Sequence, residues 1–265
     1  MKKILIIAPH LSTGGMPQYL LKKIESFKSQ FEIFVIEYNN FGSFDVQKKK
    51  IIESIGEDNH FNLNIKSEVL DIINNIKPDI IQFEEIPEFF IDEIILKTIF
   101  DNRKNYKIVT TTHSSETNPD QLTYYPDRFL LVSKWSKSVF ENKLNIPCDI
   151  WEYPIEDIDL SMKFKYKKEL FEEYGDVKHI INVGLFTSGK NQGEIMEVAK
   201  KLIGKPIMFH FIGNQAPNFE NYWKPLMDNL PNNCRVWGER DDVDKFLQAG
   251  DLFYFSSILE LNPLV

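Results

Sequence analysis

A repeated alternation of short apolar runs with amphipathic segments constrains the fold more than any other feature of this sequence. Short apolar runs bounded by turn residues predict buried strands, whereas apolar residues three and four positions apart predict helices. Strands that alternate with helices build a parallel sheet with helices on both faces. In the first half of the chain we predict strands at 4–8, 31–36, 80–83, 107–112 and 129–132, and helices at 17–27, 68–76, 87–100 and 135–144.

The alternation is interrupted by residues 153–168, which combine proline, acidic residues and a basic cluster without a clear period. It then restarts, with strands predicted at 179–183, 207–212, 235–237 and 252–255, and helices at 194–202, 222–230 and 243–248. A chain of 265 residues is long enough for two domains with separate cores. We therefore predict two Rossmann-like, doubly wound α/β domains at 1–153 and 177–265, joined by a linker at 154–176 and facing a phosphate-bearing ligand.

The composition argues against several classes of protein. A net charge of −8 disfavours a nucleic-acid partner, because gripping a phosphate backbone needs a concentrated positive face. No apolar stretch approaches the roughly 18 residues that indicate a membrane span. Cys148 and Cys234 lie far apart without the spacing of a metal site or a redox motif, which predicts a reducing, cytoplasmic compartment.

The predicted linker carries two charged motifs, each with more than one interpretation. The first is a basic cluster of Lys163, Lys165, Lys167 and Lys168. A solvated helix face is its more common origin, and peripheral contact with an anionic membrane is the alternative. The second motif, 157–159, resembles a metal-binding aspartate pair, but no apolar strand leads into it. Since no other group of potential ligands has metal-site spacing, we predict no metal.

Ligands of doubly wound sheets bind at the carboxyl ends of the strands. The residues that follow predicted strands are therefore the candidates for function, namely 12–15, 84–85, 113–115, 133, 184–190, 213–215 and 256–260.

The most specific of these segments contains Gly184, Gly189 and Lys190 directly before a predicted helix. Backbone amides and the helix dipole favour an anion there, and the lysine adds a positive charge, so phosphate is the expected guest. The spacing also matches a nucleotide-triphosphatase phosphate loop, except that Asn191 stands where a hydroxyl would hold magnesium. An exposed turn with a solvated lysine is the alternative.

Gly14 and Gly15 follow the first predicted strand. Adjacent glycines permit close approach of a ligand to the backbone, and they serve equally well as a flexible turn. The loop lacks the three spaced glycines of a dinucleotide fingerprint, which disfavours a nicotinamide cofactor.

His113 ends the predicted strand at 107–112, where it is expected to face a cleft. There it can donate to a sugar hydroxyl or a phosphate, or act as an acid or base, although a histidine that only satisfies its loop fits equally well. His10 has a weaker claim of the same kind. The remaining histidines, which we predict to be structural, are His60, His179 and His210.

Taken in order, six segments resemble the family-4 glycosyltransferases of the GT-B fold. They are STGG, THSS, VSKWSKSVF, NVGLFTSGKNQGE, FHFIGNQ and DLFYFSSILELNPLV. The resemblance implies that Lys190 holds the diphosphate of a nucleotide-sugar donor. The arginine that the family normally places after the glycine is missing, because Leu185 follows Gly184 here. It further implies that His113 lies near the transferred sugar and that the Gly15 loop approaches the phosphates.

The family's closing signature pairs two glutamates eight positions apart, the first near the donor sugar and the second on the ribose. Glu260 resembles the first, and the second would fall three residues beyond Val265. The resemblance therefore implies that the second domain is incomplete. It implies a catalytic set of His113, Lys190 and Glu260 and a donor-binding set of Gly14, Gly15, Gly184, Lys190, Gly213, Asn214, Asn262, Pro263 and Leu264.

By this resemblance we expect a retaining glycosyltransferase that moves a sugar from a nucleotide-diphosphate donor to a saccharide or lipid-linked acceptor, with no metal and no cofactor. Three alternatives stay open. They are an epimerase or phosphorylase of the same architecture, a magnesium-dependent nucleotidase, and a binding module without catalysis.

Overall fold

A computed structural model describes residues 1–12, 14–40, 42, 45–115, 117–143, 145–155 and 160–265. The chain divides into two compact units. The first comprises Met1–Pro154 together with Leu261–Leu264, and the second comprises Ile155–Glu260 together with Val265. The aspartate pair at 157 and 159 lies outside the described residues.

The first unit is built on a seven-stranded, wholly parallel sheet with the strand order β3-β2-β1-β4-β5-β6-β7. Since every strand runs in the same direction, all carboxyl ends lie on one edge. The strands are β1 (Lys2–Ala8), β2 (Phe31–Glu37), β3 (His60–Asn62), β4 (Ile80–Phe83), β5 (Lys107–Thr112), β6 (Arg128–Leu131) and β7 (Cys148–Ile150).

The helices of the first unit pack on its sheet around three clusters of buried apolar residues. Because side chains alternate along a strand, Leu5 and Ile7 of β1 enter one cluster and Ile4 and Ile6 enter a second, while Phe140 of α5 belongs to the third. The helices are α1 (Gly15–Phe27), α2 (Val46–Ile55), α3 (Glu68–Ile76), α4 (Glu93–Asp101) and α5 (Lys134–Glu141).

The second unit has a four-stranded parallel sheet with the strand order β10-β9-β8-β11. Its strands are β8 (Lys178–Val183), β9 (Ile207–Ile212), β10 (Cys234–Gly238) and β11 (Leu252–Phe253). Its helices are α6 (Lys163–Phe171), α7 (Gln192–Lys201), α8 (Glu220–Asp228) and α9 (Val243–Ala249). Both units thus have the parallel α/β architecture that the alternating pattern predicts.

Three elements lie outside the predicted set, and one predicted helix is interrupted. The sequence pattern did not indicate α2, β3 or β7, because α2 buries only Ile51 and the two strands have three residues each. The helix predicted at 87–100 is interrupted: a 3-10 turn at Pro87–Phe89 precedes α4, and the backbone of Asp92 is extended (ψ 137°).

The interval 154–176, predicted as a linker, contains α6. Only Phe171 of this helix is buried, where it joins the core formed with Ile181, Ile212 and Phe246, whereas Phe164 is 85% exposed. A helix with one buried apolar residue has little periodicity, which explains why the sequence pattern did not show it.

His179 and His210 lie fully buried in the core of the second unit and stack against Phe171, with ring centroids 4.2 and 4.3 Å away. Within the described ranges, no helix combines the length and the apolar character needed to cross a membrane.

Candidate functional site

The carboxyl ends of β4 and β5 bring together three polar residues of the first unit, Glu84, Glu85 and His113. The two strands are parallel neighbours, with Phe83 opposite Thr110. The side chains that follow them therefore meet at one edge of the sheet, where ligands of such folds bind.

Glu84 forms a buried ion pair with Lys23 of α1. The Lys23 Nζ atom lies 2.6 Å from Glu84 Oε1, and both side chains are fully buried. Gln82 donates from Nε2 to the same carboxylate oxygen at 2.9 Å, and the ammonium lies 4.5 Å from the centre of the Tyr19 ring. Burial alone would raise the pKa of Glu84, but Lys23 and His113 outweigh it and lower that pKa.

His113 is held on several sides. Its backbone N–H donates to Glu85 Oε2 at 3.1 Å, and its ring Nε2 lies 3.5 Å from Glu84 Oε2. Ring Nδ1 lies 2.5 Å from the Tyr153 hydroxyl. The Tyr19 and His113 rings pack edge to face, with their centroids 5.1 Å apart. The side chain is 10% exposed, so its orientation is fixed by neighbours and not by solvent.

A shallow cavity of about 440 Å³ opens beside this cluster within the first unit. Its lining includes Gly15, Glu84, Glu85, Phe90 and His113. The residues of the cluster thus have access to a space large enough for a small ligand.

Gly14 and Gly15 begin α1 at the edge of this cavity. Gly14 has φ +103°, a conformation that favours glycine. A Cβ built on Gly15 would lie 3.5 Å from the Tyr153 ring and 3.8 Å from Leu264, which are ordinary contacts. Only Gly14 is therefore required by backbone geometry.

Residues Asn262, Pro263 and Leu264 group with the first unit and not with the second, to which we assigned them. The Asn262 side chain donates from Nδ2 to the Val132 carbonyl at 2.9 Å. This hydrogen bond and the approach of Leu264 to Gly15 explain the difference from the predicted domain range of 177–265.

In the second unit, the structure brings the predicted residues Lys190 and Glu260 together as an ion pair. Two hydrogen bonds hold the surrounding loops: Ile258 N–H donates to the Gly189 carbonyl at 2.9 Å, and the Ser256 hydroxyl donates to the Lys190 carbonyl at 2.7 Å. The side chains of Lys190 and Glu260 are 32% and 20% exposed, so this pair is accessible from solvent.

Gly184 and Gly213 meet through their backbones beside this ion pair. A Cβ on Gly213, where φ is +148°, would lie 2.0 Å from the Gly184 carbonyl oxygen, so only glycine fits. A Cβ on Gly184 would lie 3.4 Å from the Lys190 side chain. The buried Asn214 follows, and its backbone carbonyl accepts from Phe186 N–H at 3.1 Å.

A buried side chain holds the loop that carries Lys190. Gln192, the first residue of α7, is fully buried and donates to the Leu185 carbonyl at 3.0 Å. Asn191 adopts a left-handed conformation with φ +56°. Lys190 is therefore presented at the amino-terminal, electropositive end of a helix.

Sequence reasoning named Glu84 only as a residue after a strand, and it did not identify Lys23, Tyr19 or Tyr153. The sequence does carry a signal for Lys23: it lies three residues after Leu20, on the stripe of α1 that faces the core. A lysine on a core-facing stripe indicates a buried partner. Tyr153 had no such signal, since it follows β7, a strand that the pattern did not predict.

Over the described parts of the chain, no group of three or more His, Cys, Asp or Glu side chains is arranged to hold a metal ion. His10 lies in the first unit near Ser12, with Nδ1 and the hydroxyl 3.1 Å apart. Burial lowers the pKa of His10, and the charge of Glu37 opposes that shift.

No protein-family model matches this sequence. No curated protein matches it either. Solved structures do match in fold. HepE of Anabaena in complex with UDP-glucose superimposes with a TM-score of 0.73 at 12% identity, covering 98% of this chain and 75% of HepE. HepE in complex with UDP and glucose gives a TM-score of 0.75 at 14% identity, covering 98% of this chain and 76% of that one.

Sucrose-phosphate synthase of Thermosynechococcus elongatus matches all of this chain and 77% of its own, with a TM-score of 0.66 at 11% identity. A glycosyltransferase of Rickettsia africae matches 97% of this chain and 73% of its own, with a TM-score of 0.67 at 16% identity. The chain therefore has two Rossmann-like units of the kind found in GT-B glycosyltransferases, as its sequence resemblance predicts.

Proposed function

We propose that this chain is a cytoplasmic, metal-independent glycosyltransferase that moves a sugar from a nucleotide-diphosphate donor to a saccharide or lipid-linked acceptor with retention of configuration. One observation carries the assignment. The ion pair of Lys190 and Glu260 lies at the carboxyl edge of the second sheet, beside the backbone contact between Gly184 and Gly213.

This arrangement suits a donor diphosphate and its sugar. The Lys190 ammonium and the amino-terminal end of α7 both favour an anion, and they would stabilise the negative charge that develops on the leaving diphosphate. The Glu260 carboxylate aligns Lys190 and can accept hydrogen bonds from sugar hydroxyls. Transfer without a metal follows from giving the role of the cation to Lys190.

The fold supports this assignment. The HepE structures with the same architecture contain UDP-glucose, or UDP and glucose. Retention of configuration rests on the resemblance to family-4 glycosyltransferases. Two free, buried cysteines, Cys148 and Cys234, support a reducing compartment.

The first unit would contribute the residues around its cavity. His113 and Glu85 offer hydrogen-bonding groups to a hydroxyl-rich ligand, and Phe90 offers an apolar face. We propose that this cavity takes part in sugar binding.

A lipid-linked acceptor would bring the chain to a membrane surface. The ring of Phe164 is 85% exposed and is flanked in sequence by Lys163 and Lys165. An aromatic residue between lysines suits an anionic bilayer. Co-sedimentation with phosphatidylglycerol vesicles should fall when Phe164 is replaced by serine, and equal binding to neutral phosphatidylcholine vesicles would contradict peripheral contact.

The donor can be found by thermal shift, because a ligand that binds the folded state raises the unfolding temperature. A panel of nucleoside diphosphates and UDP-glucose should include one compound that stabilises the protein. Replacing Lys190 by alanine should abolish that shift and lower transfer by about 10²- to 10³-fold. Lys200, an exposed lysine of the same unit paired with Glu197, provides the matched control variant.

Near-normal transfer by Lys190→Ala would overturn the assignment. Donor consumption without a glycosylated product would favour an epimerase, and dependence on inorganic phosphate would favour a phosphorylase. Stabilisation by none of the nucleotides would favour a binding module of another specificity.

A further inference from the structure

The two oxygens of the Glu84 carboxylate have different surroundings. Oε1 accepts from Lys23 Nζ at 2.6 Å and from Gln82 Nε2 at 2.9 Å. Oε2 faces Nε2 of His113 at 3.5 Å. Both of these atoms are buried, and neither has a hydrogen-bond partner elsewhere among the described residues. Each is therefore the other's candidate partner, and the contact is at the outer limit of hydrogen-bonding distance.

Charge balance decides which form of His113 this environment favours. Lys23 already neutralises Glu84 in the fully buried part of the cluster, where an imidazolium would add a second positive charge. The Glu85 carboxylate is only half-buried and accepts from the backbone N–H groups of Ile86 and His113. A neutral ring with its lone pair on Nε2 would point that lone pair at an ionised carboxylate. The remaining form carries the proton on Nε2, where it faces Glu84 Oε2.

The contact on the other side of the ring fits this form. With the proton on Nε2, Nδ1 is a hydrogen-bond acceptor. The Tyr153 hydroxyl lies 2.5 Å from Nδ1 and can donate to it. Every donor in the chain from Tyr153 through His113 to Glu84 then points in one direction.

We propose that Lys23 and Glu84 are positioning residues that hold His113 as the neutral Nε2–H tautomer, with Nδ1 kept as a hydrogen-bond acceptor on the side of Tyr153. Nδ1 then accepts one hydrogen bond, from the Tyr153 hydroxyl or from a ligand hydroxyl that displaces it, and the ring has no donor left for a phosphate. The consequence for sugar transfer rests on the proposed function, whereas the tautomer is a property of the protein alone.

Replacing Glu84 by glutamine gives an outcome that a merely structural role would not. Lys23 Nζ and Gln82 Nε2 both donate to this position in the wild type, so the oxygen of the new amide is expected to face them. Its NH₂ group then faces Nε2 of His113, which has to become the acceptor. The imidazole proton is expected to move to Nδ1, and the Tyr153 hydroxyl must then accept in place of donating.

The test is nitrogen-15 NMR of the full chain labelled at histidine, at neutral pH, with His113 assigned from the resonances that His113→Gln lacks. The chemical shifts of the two ring nitrogens, and their two-bond couplings to the protons on the ring carbons, distinguish the two tautomers and the imidazolium. We expect the Nε2–H form in the wild type, the Nδ1–H form in Glu84→Gln, and a return to Nε2–H in Lys23→Met/Glu84→Gln, where the amide oxygen is free to face His113.

Tyr153→Phe is the control, and it also serves if the Glu84 variant does not fold. Since Glu84 sets the tautomer, removing the tyrosine hydroxyl should leave the Nε2–H form in place. An Nδ1–H ring or an imidazolium in the wild type, a change of tautomer in Tyr153→Phe, or no change in a folded Glu84→Gln would each overturn the inference. No transfer in a protein with the expected tautomers would instead count against the proposed function.

Discussion

The two units bury ionisable groups in opposite ways. The first unit encloses a charged pair, Lys23 and Glu84, with both side chains fully buried. The second unit encloses two histidines, His179 and His210, whose pKa values burial lowers to about 4 and about 3, so that both are neutral at physiological pH. One of its charged pairs, Lys190 and Glu260, is partly exposed.

A buried pair and a partly exposed pair suit different roles. A buried charge needs its partner permanently, because an unpaired charge in the interior costs several kcal/mol. The Lys23 pair is therefore a fixed part of the first unit. A partly exposed pair is only weakly stabilising, so Lys190 can exchange its partner for an anionic ligand at little cost.

The neutral histidines form a directed chain of hydrogen bonds. Trp237 Nε1–H donates to His210 Nδ1 at 3.1 Å, which places the proton of His210 on Nε2. That proton faces His179 Nδ1 at 3.0 Å, so His179 is protonated on Nε2. Protonating either ring further would set two donors against each other in the core.

Acid should therefore weaken the second unit most, and this is the largest effect we expect. Below pH 6.5 the two histidines become protonated in the unfolded chain but stay neutral in the folded core. The free energy of unfolding therefore falls as the pH falls toward the folded pKa values. Between about pH 6.5 and 4.5 the loss should be about 2–3 kcal/mol per histidine. Hydrogen exchange followed by mass spectrometry would measure it separately in each unit.

The first unit provides the comparison in the same experiment. The pKa of Glu84 is lowered, so the stability that its pair contributes is lost only below the ordinary glutamate range. His10 and His60 shift in the same direction as the core histidines but are only half-buried, so a smaller loss is expected there. Equal acid sensitivity of the two units, or unchanged sensitivity in His179→Phe/His210→Phe, would contradict this account.

Replacing Lys23 by methionine should destabilise the first unit by about 3–5 kcal/mol, because Glu84 would be left buried and uncompensated. Urea unfolding measures the change. The matched control is the double variant Lys23→Met/Glu84→Leu, which removes both charges and should recover most of the loss. A single variant as stable as the wild type would show that the pair is not charged in the folded protein.

Glycine substitutions extend the comparison to the backbones of the two sites. Gly213→Ala should cost about 2–3 kcal/mol, because its Cβ would meet the Gly184 carbonyl oxygen at 2.0 Å. Gly15→Ala should change stability by less than about 0.5 kcal/mol, since its Cβ makes only ordinary contacts. Thermal unfolding of both variants checks the contrast, and similar losses would contradict it.

Much of this architecture was predictable from the sequence. Strands such as β4, β5 and β9 are short, mostly buried runs of β-forming residues with clear ends, and their bounds match the pattern. Because parallel strands end on one edge, the position of His113 beside Glu84 follows from the order of elements. The contact between Lys190 and Glu260 has the same origin, since both follow strands of the second sheet.

The remainder depends on tertiary contacts that leave no periodic signal. The helix α6 has only one fully buried side chain, Phe171, and its sequence resembles an irregular polar segment. Tyr153 reaches His113 across 40 residues of sequence. Leu261–Leu264 belong to the first unit through contacts such as the one from Asn262 to Val132, 130 residues away. Pairings of that range are set by the folded chain and not by local pattern.

The smallest effect on stability should come from the pair that we propose to bind the donor. Replacing Lys190 by methionine is expected to change the free energy of unfolding by no more than about 1 kcal/mol, because the lysine is about one-third exposed and Glu260 can be solvated when left alone. Urea unfolding beside Lys23→Met tests this directly. A loss as large as that of Lys23→Met would mean that Lys190 is a structural residue, and the distinction between a fixed pair in the first unit and an exchangeable pair in the second would fail.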